Sequence, residues 1–127
     1  GLSVLLAADA PPSAVLCGND VLAYGALLEA QRRGIRVPQD LSIIGFNDLE
    51  VSASSFPALT TIATPRYDMA RTSAEIILEL VRGNGKRPAR RKIDLGFRLV
   101  QRESTCRPAD TIDPHSRTEA KRSQSVI

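Results

Sequence analysis

Apolar and polar positions alternate along this chain in blocks that change period, and the blocks alone predict a layered fold. Residues 2–8 form an apolar run too continuous to stand alone, read as helix and broken by Ala10-Pro11-Pro12-Ser13. Ala14-Val15-Leu16-Cys17 then has the pattern of a short buried strand, and Gly18-Asn19-Asp20 the chemistry of a turn. Asn19 or Asp20 can accept from the free N–H groups opening a helix over Val21 to Arg33, which Gly34 closes. After the link Val37-Pro38-Gln39-Asp40, the run from Leu41 to Phe46 reads as a second strand, buried on both faces. Strand, helix and strand within about thirty residues is a βαβ crossover, which makes the strands parallel. The fold class is therefore α/β, a parallel sheet with flanking helices.

The later blocks extend the same layers. A Ser/Ala-rich stretch up to Phe56-Pro57 reads as one or two helical turns, and Leu59 to Ala63 as a strand ended by Pro65. Residues 66–82 predict a helix with Met69, Ser73, Ile76, Ile77 and Leu80 on one face. Arg71 with Glu75, and Glu79 with Arg82, fall on its other side, and Gly83-Asn84-Gly85 supplies the stop. Arg90 to Val100 alternates as one or two final strands, with Ile93, Leu95, Phe97 and Leu99 on one side. Residues 1–106 thus read as one domain and 107–127 as a polar, disordered tail.

The helix at 20–34 carries more apolar positions than one sheet can cover. Leu22, Ala23, Ala26, Leu27 and Ala30 can face the sheet, which leaves Val21, Tyr24, Gly25 and Leu28 as a second stripe. Either the domain buries that stripe more deeply or a subunit interface covers it, with Tyr24 as the anchor.

Composition narrows the function more than the fold. The 127 residues carry a formal charge of +3, but residues 1–85 hold 6 basic and 9 acidic side chains, whereas residues 86–127 hold 11 and 5. Basic character belongs to the C-terminal third, where Arg87, Arg90, Arg91 and Lys92 read as a solvated edge because no aromatic residues interleave with them. Cys17 and Cys106 form no C-x-x-C pair and read as free thiols in a reducing cytoplasm. The opening apolar run has no basic residue before it and is too short for a signal peptide or a membrane span. An opening Gly, immediately inside a helix, reads as a beginning cut from something longer.

Catalytic chemistry finds little support. The single histidine, His115, lies in the polar tail, and G-x-S-x-G is absent, which disfavours a catalytic triad or a His-based metal site. The turn at Gly18 holds one glycine where a dinucleotide fingerprint needs three, Gly83-Asn84-Gly85-Lys86 lacks Walker spacing, and no cofactor is implied. Asp20 and Asp48 each follow a strand, where capping is the usual duty of a carboxylate. There remain two amides at matching places, Asn19 and Asn47, each beyond the carboxyl end of a parallel strand. Ligands bind at that edge of open α/β sheets, and an amide offers both donor and acceptor to a polar small molecule such as a sugar or nucleoside. Both amides can equally serve as helix caps and turn residues.

Four ordered motifs carry a resemblance. Leu16-Cys17-Gly18-Asn19-Asp20-Val21-Leu22-Ala23-Tyr24-Gly25-Ala26-Leu27, the run from Gly34 to Asp48 with Gly45-Phe46-Asn47-Asp48 at its end, Pro57-Ala58-Leu59-Thr60-Thr61-Ile62, and Leu99-Val100-Gln101-Arg102-Glu103-Ser104-Thr105 together resemble the lactose/galactose-repressor (LacI/GalR) family of bacterial transcription regulators. The resemblance covers residues 13–106. It implies the C-terminal part of a periplasmic-binding-protein-like effector domain, incomplete in this chain, with a sugar-like effector between two lobes, homodimerisation, and an upstream helix-turn-helix that reads operator DNA. It further implies a cytoplasmic protein without a membrane partner.

Carried over residue by residue, the resemblance places Asn19, Asn47, Thr64 and Arg66 at the effector. It places Tyr24, Leu28 and Ser55 on the dimer surface. Asn47 stands where family members often have an acidic residue, so its ligand preference should differ. The helix at 66–82 would pack on the other lobe. A secreted sugar-binding receptor on the same lobes is the competing reading, and an adaptor whose basic tail binds an acidic partner is a third.

Overall fold

The computed structural model describes residues 1–83 and 92–107, so the tail from 108 onward and the basic residues Arg87, Arg90 and Arg91 lie outside the described residues. Within them the elements are α1 (Leu2–Leu6), β1 (Ala14–Leu16), α2 (Asp20–Arg32), β2 (Ser42–Phe46), α3 (Glu50–Ser54), β3 (Thr60–Ala63), α4 (Arg66–Arg82) and β4 (Arg98–Val100). The strands form one sheet in the order β1-β2-β3-β4. β1 and β2 pair in parallel with Leu16 opposite Ile44, and β2 and β3 in parallel with Phe46 opposite Ile62. β4 returns antiparallel to β3, with Leu99 opposite Ile62. The α/β architecture with flanking helices is the one the pattern predicts.

The core lies between α2 and one face of the sheet, where Ala23, Ala26 and Leu27 meet Leu41, Ile43 and Leu59. Three alanines in the packing of one helix allow its backbone to lie close to the strands, and Leu2 and Leu6 of α1 close one side. Gly34, at φ +70°, ends α2 in the left-handed conformation that glycine adopts without steric cost.

Several expectations are corrected. Leu22 does not face the sheet but is 60% exposed, because β1 is the edge strand and the sheet ends before it reaches Leu22. β2 is fully buried on one face only: Ile43 and Gly45 are covered, whereas Ile44 and Phe46 are half-buried. The face bearing Ile44 is the one that α2 does not cover. Of the strand pattern before Val100, only Arg98–Val100 pairs; residues 92–97 form no ladder, and Ile93, Leu95, Phe97 and Leu99 are all exposed. α4 spans the predicted residues, yet none of them is buried, so its amphipathic face has no sheet to cover among the described residues. The second stripe of α2 is not buried either: Val21, Tyr24 and Leu28 are exposed.

Surface charge organises the end of α2. The Glu29 carboxylate accepts from Arg32 Nε at 2.8 Å, from the Arg33 guanidinium, and from Ser3 Oγ of α1 at 3.0 Å. These bonds, that from Arg32 first, hold the Glu29 carboxyl well below the usual carboxylate range. A carboxylate with a depressed folded-state pKa contributes stability above its unfolded pKa, near 4.3, and loses it progressively as the pH falls further. Thermal unfolding followed from pH 7 down to pH 3 should therefore show a small, salt-sensitive loss on the acid side. Glu29→Gln should flatten that loss, and an unchanged profile would mean that the cluster contributes nothing.

Candidate functional site: the carboxyl edge of the sheet

Asn19 and Asn47 stand in register. Each lies three residues beyond one member of the Leu16–Ile44 pair, so parallel pairing carries both to the same edge. Thr64, immediately after β3, joins them there: its Oγ1 donates to Asn47 Oδ1 at 3.3 Å. Arg66 opens α4 with an exposed side chain, and its backbone N–H donates to Thr64 O at 2.8 Å. The structure thus collects all four predicted residues at one edge, formed by the ends of β1, β2 and β3 and the start of α4.

Two of the four also do structural work. Asn19 is the N-cap of α2, its Oδ1 accepting from Leu22 N at 2.8 Å. Such a cap contributes about 1 kcal/mol and leaves the amide N–H donors for another partner. Asn47 sits at φ +104° and Asp48 at φ +51°. Two successive non-glycine residues in this region cost of order 1 kcal/mol each, least for Asn and Asp, so neighbouring contacts must hold the turn. Asn47 N donates to Ile62 O at 2.8 Å, and Asp48 N to Thr61 Oγ1 at 3.4 Å.

Neither Asp20 nor Asp48 is the helix cap that its position implies. Asp20 is fully buried, and its carboxylate accepts from Thr61 Oγ1 at 2.5 Å and from Leu49 N at 2.6 Å, joining the start of α2 to β3 and to the residue that opens α3. Its Oδ1 lies where a Cβ on Gly45 would be. Asp48 Oδ1 accepts from Arg102 Nη2 at 2.7 Å, while Arg102 Nη1 donates to Leu59 O at 2.8 Å. Arg102 was visible in sequence only as one position of a motif; its contact with Asp48 spans 54 residues and leaves no local signal.

Beside this edge lies a small, mainly apolar cavity of about 290 Å³, lined by Phe46, Ile62, Thr64 and Met69 on one side and by residues 94–97 on the other. Thr64 alone among the four predicted residues lines it. The dimer candidates lie elsewhere. Tyr24 and Leu28 project from α2 at 37% and 49% exposure, whereas the half-buried Ser55 hydroxyl donates to Ser52 O and Pro57 O at the end of α3. Cys17 and Cys106 form no disulfide; their backbone N–H groups donate to Ile44 O and Ser42 Oγ respectively, the Cys106 thiol donates to Pro38 O at 3.4 Å, and burial pushes the Cys17 thiol up. No helix among the described residues is long and apolar enough to cross a membrane.

Comparison with known proteins agrees with this architecture. The model of the periplasmic-binding-protein-like domain matches residues 2–105. The transcriptional regulator GntR of Pseudomonas aeruginosa is 46% identical over 101 residues, which cover 80% of this chain and 29% of the regulator. The repressor CytR of Escherichia coli is 43% identical over the same length and shares. The chain thus spans about 29% of the length of these curated relatives, both of them regulators rather than enzymes. Among solved structures, the regulator GntR of Chromobacterium violaceum superposes with a TM-score of 0.69 at 47% identity, over 82% of this chain and 38% of that one. A LacI-family regulator of Enterococcus faecium with bound ribose superposes at 0.68 and 32% identity, over 82% and 37%. By its family match, and with LacI-type regulators as its relatives, the chain belongs to the periplasmic-binding-protein-like domains.

Proposed function

We propose that this chain is the C-terminal part of the effector-binding and dimerisation domain of a LacI/GalR-type transcription regulator. The observation that carries the reading is the gathering of Asn19, Asn47, Thr64 and Arg66 at one sheet edge, with amide donors left over from the capping and turning bonds. Amide N–H groups beside a threonine hydroxyl, with Arg66 opening the helix that follows, suit a polyhydroxylated ligand of sugar-like size. A binding role accords with the curated relatives, which are transcriptional regulators.

In the whole regulator, effector bound between two lobes would alter the dimer geometry and so the affinity of a separate helix-turn-helix for operator DNA. The homologous regulators support this reading.

D-ribose is the probe of choice, since a structural relative holds it. Titration of the ¹⁵N-labelled chain with tens of millimolar D-ribose should shift amide resonances at residues 18–19, 46–48 and 64–66. Shifts scattered over the remote surface of α3, or none with ribose, cellobiose and uridine in turn, would remove the sugar-site reading.

The second stripe of α2 supports self-association. Val21, Tyr24 and Leu28 expose apolar surface on a helix whose opposite face already fills the core, and an aromatic ring at the centre of such a patch is a typical interface anchor. Leu28→Glu should raise the dimer dissociation constant by about 100-fold or more, because it places a charge in a desolvated contact. Sedimentation velocity would detect the change, and identical profiles for both proteins would assign the dimer surface elsewhere.

A further inference from the structure

We infer that Arg102 is a positioning residue for the candidate effector site, holding Asn47 in place through the left-handed Asn47–Asp48 turn. The proposal rests on the effector reading above and extends it to a residue that lies outside the carboxyl-edge group itself.

Asn47 and Asp48 both have positive φ, a pairing that the chain does not hold by local preference alone. Several bonds anchor the turn. On the β3 side Asn47 N is bonded to Ile62 O and Asp48 N, at 3.4 Å, to Thr61 Oγ1, while Thr64 Oγ1 donates to Asn47 Oδ1. On the α3 side Leu49 N is bonded to the buried Asp20 carboxylate. The one charged pair among these anchors is made by the Arg102 guanidinium, one of whose nitrogens holds Asp48 while the other holds the carbonyl of Leu59 at the foot of β3. Both side chains of the ion pair are largely covered, at 20% and 23% exposure, so solvent weakens the pair less than it weakens Arg71–Glu75 on α4.

A planar fork reaching two acceptors fixes Asp48 relative to β3, not merely near it. Arg102 is itself held in register: its backbone N–H donates to Thr60 Oγ1 at 3.0 Å, and the segment that follows it is bonded to Ala58. The clamp thus runs from β3 through Arg102 to Asp48, and its product is the direction of the Asn47 amide at the sheet edge.

Amide hydrogen exchange on the full chain tests this without any ligand, so failure of the clamp and failure of the sugar reading are told apart. Two variants are compared with the parent: Arg102→Met, which keeps the stem but loses both donors, and Asp48→Asn, which suits a positive φ and removes only the charge. Exchange at Asn47, Asp48 and Leu49 should accelerate by about tenfold in the first and severalfold in the second. Cys17 N–H, bonded to Ile44 O on the far side of β2, should change by less than about twofold. Asn47 Cα and Cβ chemical shifts should move away from left-handed values together with the exchange. Acceleration shared equally by Cys17 would reduce Arg102 to a general stabiliser, and no acceleration at Asn47 would mean that the turn holds itself; either result overturns the proposal. Should Arg102→Met fail to fold, Asp48→Asn decides alone, since it leaves Arg102 able to bind Leu59.

Discussion

Gly45→Ala is expected to destabilise the domain by about 3 kcal/mol or more, seen as a lower midpoint in urea with an unchanged slope. Gly45 is buried in the middle of β2, and a Cβ there would overlap Asp20 Oδ1 and approach Leu59 Cδ2 to 2.9 Å. The carboxylate cannot simply turn aside, because its two oxygens hold Thr61 Oγ1 and Leu49 N. Displacing it leaves a buried charge and two donors without partners, and the overlap thereby becomes an electrostatic cost as well as a steric one. The cause can be separated by repeating the substitution in an Asp20→Ala background, where the added methyl should cost markedly less. Equal costs in both backgrounds would identify Leu59 as the obstacle and clear Asp20 of the role assigned to it.

Ser104→Ala should cost about 2 kcal/mol, although it removes one oxygen atom. Ser104 is completely buried; its Oγ donates to Ile43 O at 2.6 Å and accepts from Thr60 N at 2.8 Å, so a single hydroxyl joins β2 to β3 at the end where their ladder begins. Alanine leaves the buried Thr60 N–H without its partner. Chemical denaturation gives the magnitude, and faster exchange of Thr60 N–H relative to Cys17 N–H gives the location. A loss below about 0.5 kcal/mol would indicate that the C-terminal segment contributes little beyond its backbone bonds to Ala58 and Ile43.

Those two residues mark what could and could not be read from the chain. The crossover was legible because period and punctuation agree there: a short apolar strand, a cap, a helix of 3.6 period and a closing glycine, as at Ala14 to Gly34. The helix at 66–82 was legible for the same reason, down to its ends. Asn19 was placed correctly as a possible cap and as a residue of the sheet edge, because register alone carries it there. Sidedness was not legible. Whether Ile44 or Leu22 is covered depends on which layers are present, and local pattern describes a strand or helix without its neighbours. The alternation at 93–99 has the period of a strand, but pairing needs a partner, and β3 offers its free edge only to Arg98–Val100. The bonds that shape the turn at Asn47 were hidden most completely, since Asp20, Thr61 and Arg102 reach it from distant parts of the chain.

The closing contacts of the fold also set an order in time. Ser104 reaches back 61 residues to Ile43 and 44 to Thr60. During synthesis β1, α2 and β2 can assemble as soon as they emerge, but β3 gains its final partner only after a further stretch of about 40 residues, or roughly 2–8 s of translation. For that interval Thr60 and Thr61 wait with one strand edge open and Arg102 not yet made, leaving the Asn47 turn without its clamp. Ribosome pausing within that window would lengthen the exposure of a half-paired sheet edge.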